Sequence, residues 1–347
     1  MKVGQARMIA ESWVKQMASQ ETGFRGAYFT GSTIHLSDEV VLPKTSDVDM
    51  VIVTDHENLG LKLGKFMYNN VLLEVTHIPW FQLSSAHDVL QSYHLAGSFQ
   101  HDTIIADPTG VLRELQKTVS EHFSEAVWVR ARYEAAIQKV VHGLQGLDAT
   151  GSKHDQVMGW LFPTGVTTHA LLVAALENPT VRLRYLAARR VLQTYHHDEV
   201  YQELLTLLGC EHLTASHVSD HLDALEKIFD QTVPVSRTPF FFSSDVSWDA
   251  RPIAIDGSHK LIQSGDHHAA VFWIVATFSR CYEILKVDGS SELQQACLLA
   301  FDSILADIGI YTTDDLISRA QQTIEYVPKL RDTSEKIMLA NPKVTGK

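Results

Sequence analysis

The spacing of apolar and polar positions changes character along the chain. Residues 5–20 carry Met8, Ile9, Trp13, Val14 and Met17 close to helical spacing, which predicts an amphipathic helix. A polar link at 22–25 leads into a strand-like run at 26–30. After Gly31 and Ser32, residues 34–36 start a short helix and 43–46 read as loop. Residues 47–53 are apolar apart from Asp47 and Asp49, the pattern of a strand covered on both faces. Runs at 66–68 and 71–78 flank Asn69 and Asn70; asparagine tolerates positive φ, so the pair predicts a tight hairpin. In the second arm Leu72, Glu74, Thr76 and Ile78 share one face, so Glu74 is a charge set in an apolar strand. It is either an edge-strand residue facing water or a functional carboxylate. Pro79, without an N–H, ends the strand. Residues 82–95 read as helix, 103–106 as strand, 107–110 as turn and 111–123 as amphipathic helix.

From residue 124 every periodic segment is helical: 125–146, 153–177 with an interruption at Pro163, 181–195, 198–208, 214–230, 267–286, 291–307 and 313–338. Thr180, Thr214 and Asp266 are the expected N-caps. The stretch 233–265, with Pro234, Pro239 and Pro252, is the least regular, and 341–347 reads as a frayed tail. The class is therefore α+β. A mixed sheet with helices occupies 1–123, an all-helical domain 124–340, and a tail 341–347.

Composition narrows the chemistry. Of 347 residues, 45% are hydrophobic and 20% charged, the balance of a globular protein. No apolar run reaches the roughly 18–20 residues that span a membrane, and the N-terminus lacks a signal-peptide core, so a cytoplasmic location is expected. The net charge of −12 disfavours nucleic acid as a partner and suits a cationic one. Cys210, Cys281 and Cys297 lack CxxC spacing and read as buried thiols. The pairs His196–His197 and His267–His268 are adjacent residues that share no helix face, so they make no two-ligand site.

The chemistry concentrates at 31–53. Asp47 and Asp49 are two apart in a strand and project side by side. Two such carboxylates repel unless a cation lies between them, and all-oxygen ligands of this kind suit Mg²⁺ with substrate phosphates. Gly31 and Ser32 follow a short apolar run, where backbone N–H groups at a turn can cradle phosphate oxygens.

Gly-Ser, a loop, Asp-Val-Asp and a later strand carboxylate together resemble the nucleotidyltransferase superfamily that includes DNA polymerase beta. The loop here, 33–46, is slightly longer than the usual pattern. Ser46-Asp47-Val48-Asp49 looks like the small-molecule branch, the aminoglycoside nucleotidyltransferases of kanamycin and streptomycin type. That resemblance implies a fold in which an all-helical domain faces the nucleotide site. It also implies Mg²⁺-dependent transfer of AMP from ATP to a hydroxyl of a small acceptor, with release of pyrophosphate. Asp47, Asp49 and Glu74 would hold one or two Mg²⁺ ions. Gly31 and Ser32 would grip the phosphates, and Ser46 would orient the loop or a phosphate oxygen. Glu74 would be either the last metal ligand or the general base; Glu134 and Asp155 are alternative bases from the helical part. Arg184, among Arg182, Arg189 and Arg190 on one predicted helix, is the candidate to reach the triphosphate. The Phe240–Phe242 cluster is a candidate acceptor lining. The acceptor would be small, hydroxylated and cationic, and the family allows a homodimer. Two other readings stand beside this one: nucleotidylation of a protein or RNA, and a non-catalytic nucleotide-binding or interaction module.

Overall fold

The computed structural model describes residues 1–347 and divides into two units. The first comprises Met1–Ala131, Phe240–Ile253 and Lys343–Lys347; the second comprises Arg132–Pro239 and Ala254–Pro342. Residues 240–253 therefore return to the first unit from the middle of the helical sequence, across the boundary the periodicity places at 124.

In the first unit, helix α1 (Val3–Gln16) precedes strands β1 (Phe24–Thr30), β2 (Val48–Thr54), β3 (Gly64–Tyr68), β4 (Val71–Pro79) and β5 (Ile104–Ala106). The sheet order is β3-β4-β2-β1-β5. β2 and β4 are parallel; the other neighbouring pairs are antiparallel. Val48, Met50 and Ile52 of β2 pack into a cluster with Ala6, Ala10, Trp13 and Val14 of α1. The alanines one helical turn apart let α1 lie close to the sheet, and Trp13 closes the edge against Phe66 with ring centroids 5.4 Å apart. α1 thus covers the face of β2 that carries Val48, Met50 and Ile52.

The hairpin forms as its asparagines predict. Asn69 and Asn70 have φ of 47° and 63°, and the turn pairs Tyr68 with Val71 and Lys65 with Glu74. Over 82–95 the structure is less regular than the spacing predicts: helix α2 covers only Ala86–Gln91, with 3-10 turns at Trp80–Leu83 and Ala96–Phe99. Ser85 caps α2 and Ser92 leaves the helical region at ψ 114°, which confines the helix to six residues. Helix α3 (Val111–His122) buries Leu112, Leu115 and Val119.

Two distant pieces complete this unit. Gly64 has φ +71°, and a Cβ there would lie 2.0 Å from the Ser244 hydroxyl oxygen; glycine is what lets 240–253 seat on the end of β3. Phe240 and Phe242 stack at 5.3 Å and 16°. The chain end is not frayed. Thr345 donates its N–H to the Ser124 carbonyl at 2.9 Å and accepts from the Ala126 N–H at 2.8 Å, while Val344 is buried. One apolar residue among polar neighbours is too weak a pattern to signal such docking.

Helix α4 (Ala126–Gln145) leads into the second unit, which holds α5 (Lys153–Ala174), α6 (Arg184–Thr194), α7 (Asp198–Leu208), α8 (Ala215–Thr232), α9 (Gly257–Gln263), α10 (His267–Asp288), α11 (Ser291–Asp307) and α12 (Thr313–Ala340). α5 and α10 form its centre, with Trp160, Phe272 and Phe278 fully buried. By length and mean hydropathy α5 matches a membrane span, but 78% of that stretch is buried inside the protein. α5 runs unbroken through Pro163, whose ring packs on Gly143 where a Cβ would come within 2.6 Å. The three cysteines are free and buried. Thr214 caps α8 by accepting from the His217 N–H, as expected. Thr180 does not cap α6, which starts at Arg184 after Leu183. Asp266 makes no capping bond either; its carboxylate pairs with Arg189 at 2.7 Å.

Candidate metal and phosphate site

The strand register assembles the site. Thr30 of β1 is paired with Asp49 of β2, Asp49 with Glu74 of β4, and Glu74 with Lys65 of β3. Four consecutive strands thus present one row, Thr30–Asp49–Glu74–Lys65. Neighbouring strands run about 4.8 Å apart, so the two carboxylates of the row are forced close together. Asp47 stands just before β2 and joins them: ligand oxygens of Asp47, Asp49 and Glu74 all lie within 4.8 Å of one another. The apolar partners on the reverse face, Val48 and Met50, are fully buried, which fixes the direction in which the aspartates point.

Gly31 supplies the floor. It has φ +71° and ψ −160°, a conformation open to glycine alone, and a Cβ there would sit 1.9 Å from Asp49 Oδ2. The backbone therefore lies directly against the carboxylate. Ser32 opens the 3-10 turn Ser32–His35 and is exposed. Arg7 of α1 anchors this turn and the residues after it: its guanidinium donates to the carbonyls of Thr33 and Leu36 and pairs with Asp38 at 2.7 Å. At the other side of the row, Thr30 and Ser98 share a hydroxyl hydrogen bond of 2.8 Å. Ser46 donates its N–H to the Pro43 carbonyl at 3.0 Å, closing the turn that delivers Asp47.

Lysines balance the acids. Lys65 Nζ lies 3.4 Å from Asp47 Oδ2 and 2.9 Å from Asp245 Oδ1, and donates to Glu74 Oε2; Lys62 donates to Glu74 Oε1. Burial pushes the Asp47 and Asp49 carboxyls up, Asp49 well above the usual carboxylate range, where the Asp47 and Glu74 charges add to the effect. Burial acts the same way on Glu74, yet the ammonium groups of Lys65 and Lys62 outweigh it and bring the carboxyl down to about 2. Burial disfavours the Lys65 ammonium, but Asp245, Asp47 and Glu74 more than compensate and hold it charged. Asp47 and Glu74 keep 16% and 17% of their side chains exposed, so the group opens to solvent.

The donor set fits a hard divalent ion. All ligand atoms are carboxylate oxygens, they lie within 4.8 Å of one another, and an ammonium already bridges two of the three residues as a cationic stand-in.

The structure brings Gly31, Ser32, Ser46, Asp47, Asp49 and Glu74 into the first unit, with the three carboxylates clustered. Arg184 is not among them. It belongs to the second unit, where it is 2% exposed, donates Nε–H to the Val181 carbonyl at 2.7 Å and lies 4.0 Å over the Phe272 ring. Gly165 leaves it room, since a Cβ there would come within 2.4 Å of its Nη1. A buried guanidinium stacked on phenylalanine is a packing element of the helical core. Glu134 is committed to Arg331 through two contacts of 2.7 and 3.1 Å, and Asp155 accepts from the Ser152 hydroxyl at 2.6 Å. Lys62, Lys65 and Asp245 are the members that motif reading misses.

No family model matches the chain, and no curated protein does. Among solved structures, a nucleotidyltransferase-like protein from Exiguobacterium sibiricum aligns over 86% of this chain and 91% of that one, at 12% identity and a TM-score of 0.27. So distant an overlap leaves the functional reading to the site's own geometry.

Proposed function

We propose that the protein is a Mg²⁺-dependent nucleotidyltransferase that moves AMP from ATP to a hydroxyl of a small, cationic acceptor. The observation that carries this reading is the register row: Asp49 and Glu74 are direct partners on parallel strands, Asp47 completes the cluster, and Gly31 lies against Asp49. Asp47, Asp49 and Glu74 would hold the ion. A divalent ion bound there supplies charge neutralisation of the triphosphate and of the oxygen that attacks or leaves.

The remaining work falls to the chain's own groups. The turn at Gly31 and Ser32 starts against Asp49, and its backbone N–H groups and the Ser32 hydroxyl would orient phosphate oxygens. Glu74, with both oxygens engaged by ammonium groups, is held ionised and serves as a ligand rather than as the base. In the transfer, a bond forms between the acceptor oxygen and the α-phosphorus, the bond to the pyrophosphate oxygen breaks, and the hydroxyl proton leaves to solvent. The net charge of −12 favours a polycationic acceptor of aminoglycoside type.

The test is an acceptor screen with ATP and Mg²⁺, read by pyrophosphate release. Release with small hydroxylated amines supports the reading. Transfer only to protein or RNA, or nucleotide binding without turnover, would replace it.

A further inference from the structure

We propose that Lys65 is a built-in counter-cation of the carboxylate cluster, and that Asp245 is the positioning residue that draws it aside when a divalent ion binds. This rests on the metal-site reading above. The Lys65 side chain is 8% exposed and its ammonium faces three carboxylates: Asp47 at 3.4 Å, Asp245 at 2.9 Å, and Glu74. The ammonium donates hydrogen bonds to Glu74 and Asp245 and stands at ion-pair distance from Asp47. Two of those carboxylates, Asp47 and Glu74, belong to the cluster that would ligate an ion. An ammonium and a divalent ion cannot both sit at those oxygens without strong repulsion.

Asp245 lies outside that cluster and arrives from a segment distant in sequence. Its placement is built rather than incidental. Gly64 admits Ser244 at a distance no side chain would allow, and the next residue on each segment makes the ion pair, Lys65 with Asp245. The Asp245 N–H is fixed in turn by the Phe242 carbonyl at 2.8 Å. The lysine stem is flexible, so its head can pivot on Asp245 while its backbone stays in β3. Fully ionised, Asp47, Asp49, Glu74 and Asp245 set four negative charges against the two positive charges of Lys62 and Lys65. The two left over are the complement of one divalent ion.

The two partners should respond in opposite directions. Lys65→Met removes the competitor and tightens divalent-ion binding, on the order of tenfold. Asp245→Asn leaves the ammonium with only cluster oxygens to bind and weakens it by a similar factor. The double variant binds like Lys65→Met, because Asp245 acts through Lys65. A mere field effect of the lost charge would weaken binding equally in both backgrounds.

The experiment is Mn²⁺ and Mg²⁺ titration of the full chain without nucleotide, by calorimetry and electron paramagnetic resonance. Circular dichroism confirms the fold, and Lys65→Gln stands in should Lys65→Met fail to fold. Opposite shifts that merge in the double variant support the proposal. Binding in all variants, with Lys65→Met no tighter or with Asp245→Asn equally damaging in both backgrounds, overturns it and leaves the metal site standing. No ion bound by any variant overturns both.

Discussion

Replacing Gly31 by alanine tests the contact between backbone and carboxylate on which the site is built. The conformation at φ +71° and ψ −160° belongs to a region that costs a residue with a side chain about 1–3 kcal/mol. The new methyl group would lie 1.9 Å from Asp49 Oδ2, 2.5 Å from Cγ and 2.8 Å from Cβ. Rotating the carboxylate relieves the first two contacts but not the third, because the Asp49 Cβ is fixed by its place in β2. The turn and the strand must therefore separate. The backbone cost and about 1–3 kcal/mol for the forced separation add, so Gly31→Ala should lower stability by about 2–6 kcal/mol and abolish most divalent-ion binding. Gly110→Ala is the control: its φ is +79°, nothing lies within 4 Å of the added Cβ, and only the backbone cost of about 1 kcal/mol applies. Urea unfolding followed by tryptophan fluorescence, with Mn²⁺ titration of the folded protein, reads both quantities. A Gly31→Ala protein that matched the Gly110→Ala control in stability and bound Mn²⁺ like wild type would show that the close contact with Asp49 does not hold the site together.

Other consequences concern pH and the separate units. The Asp49 carboxyl is raised well above its ordinary 3.8, so the stability tied to its protonated form is complete below pH 3.8 and is lost as pH rises through the raised value. Asp49→Asn should accordingly have a higher melting temperature than wild type in chelator at pH 7, with the gap closing toward pH 4; no gap at pH 7 would contradict this. Glu74 has the opposite sign. Lowered from 4.5 to about 2, it contributes stability that is present above pH 4.5 and is lost as pH falls through about 2. Glu74→Gln should therefore destabilise the metal-free protein at pH 7 and leave it nearly unchanged at pH 2, as melting curves at the two pH values would show. Gly165→Ala drives a Cβ to 2.4 Å from Arg184 Nη1 and 2.7 Å from Phe272 Cε2, and should destabilise the helical core by about 1–3 kcal/mol while Mn²⁺ affinity is kept.

The sheet, its carboxylates and the helical second half are legible in the sequence because each rests on a local signal. Near-continuous apolar runs mark β2 and β4, and Asn69–Asn70 fixes the hairpin. Lys65 is readable too: counting back from that two-residue turn puts it opposite Glu74, a consequence of register that no motif states. Asp245 is not. It reaches the cluster from 180 residues beyond Lys65, through a contact that only the glycine at 64 permits, and irregular proline-rich sequence carries no periodicity to announce it. Arg184 misleads for a related reason. Arginine on a helix reads as exposed, and only tertiary packing reveals Phe272 beneath its guanidinium and the space left by Gly165. The ends of elements fail where tertiary bonds compete with caps, as at Asp266, whose carboxylate serves Arg189 instead of its own helix.

The role proposed for Asp47, Asp49 and Glu74 is to hold a divalent ion for nucleotidyl transfer. Its most direct measurement tracks ATP labelled at the α-phosphate, with Mg²⁺ and a panel of hydroxylated cationic acceptors. Label is expected on the acceptor with an equal amount of pyrophosphate, abolished by chelator and by either Asp47→Asn or Asp49→Asn. Label transferred undiminished by the Asp47→Asn, Asp49→Asn double variant would contradict it.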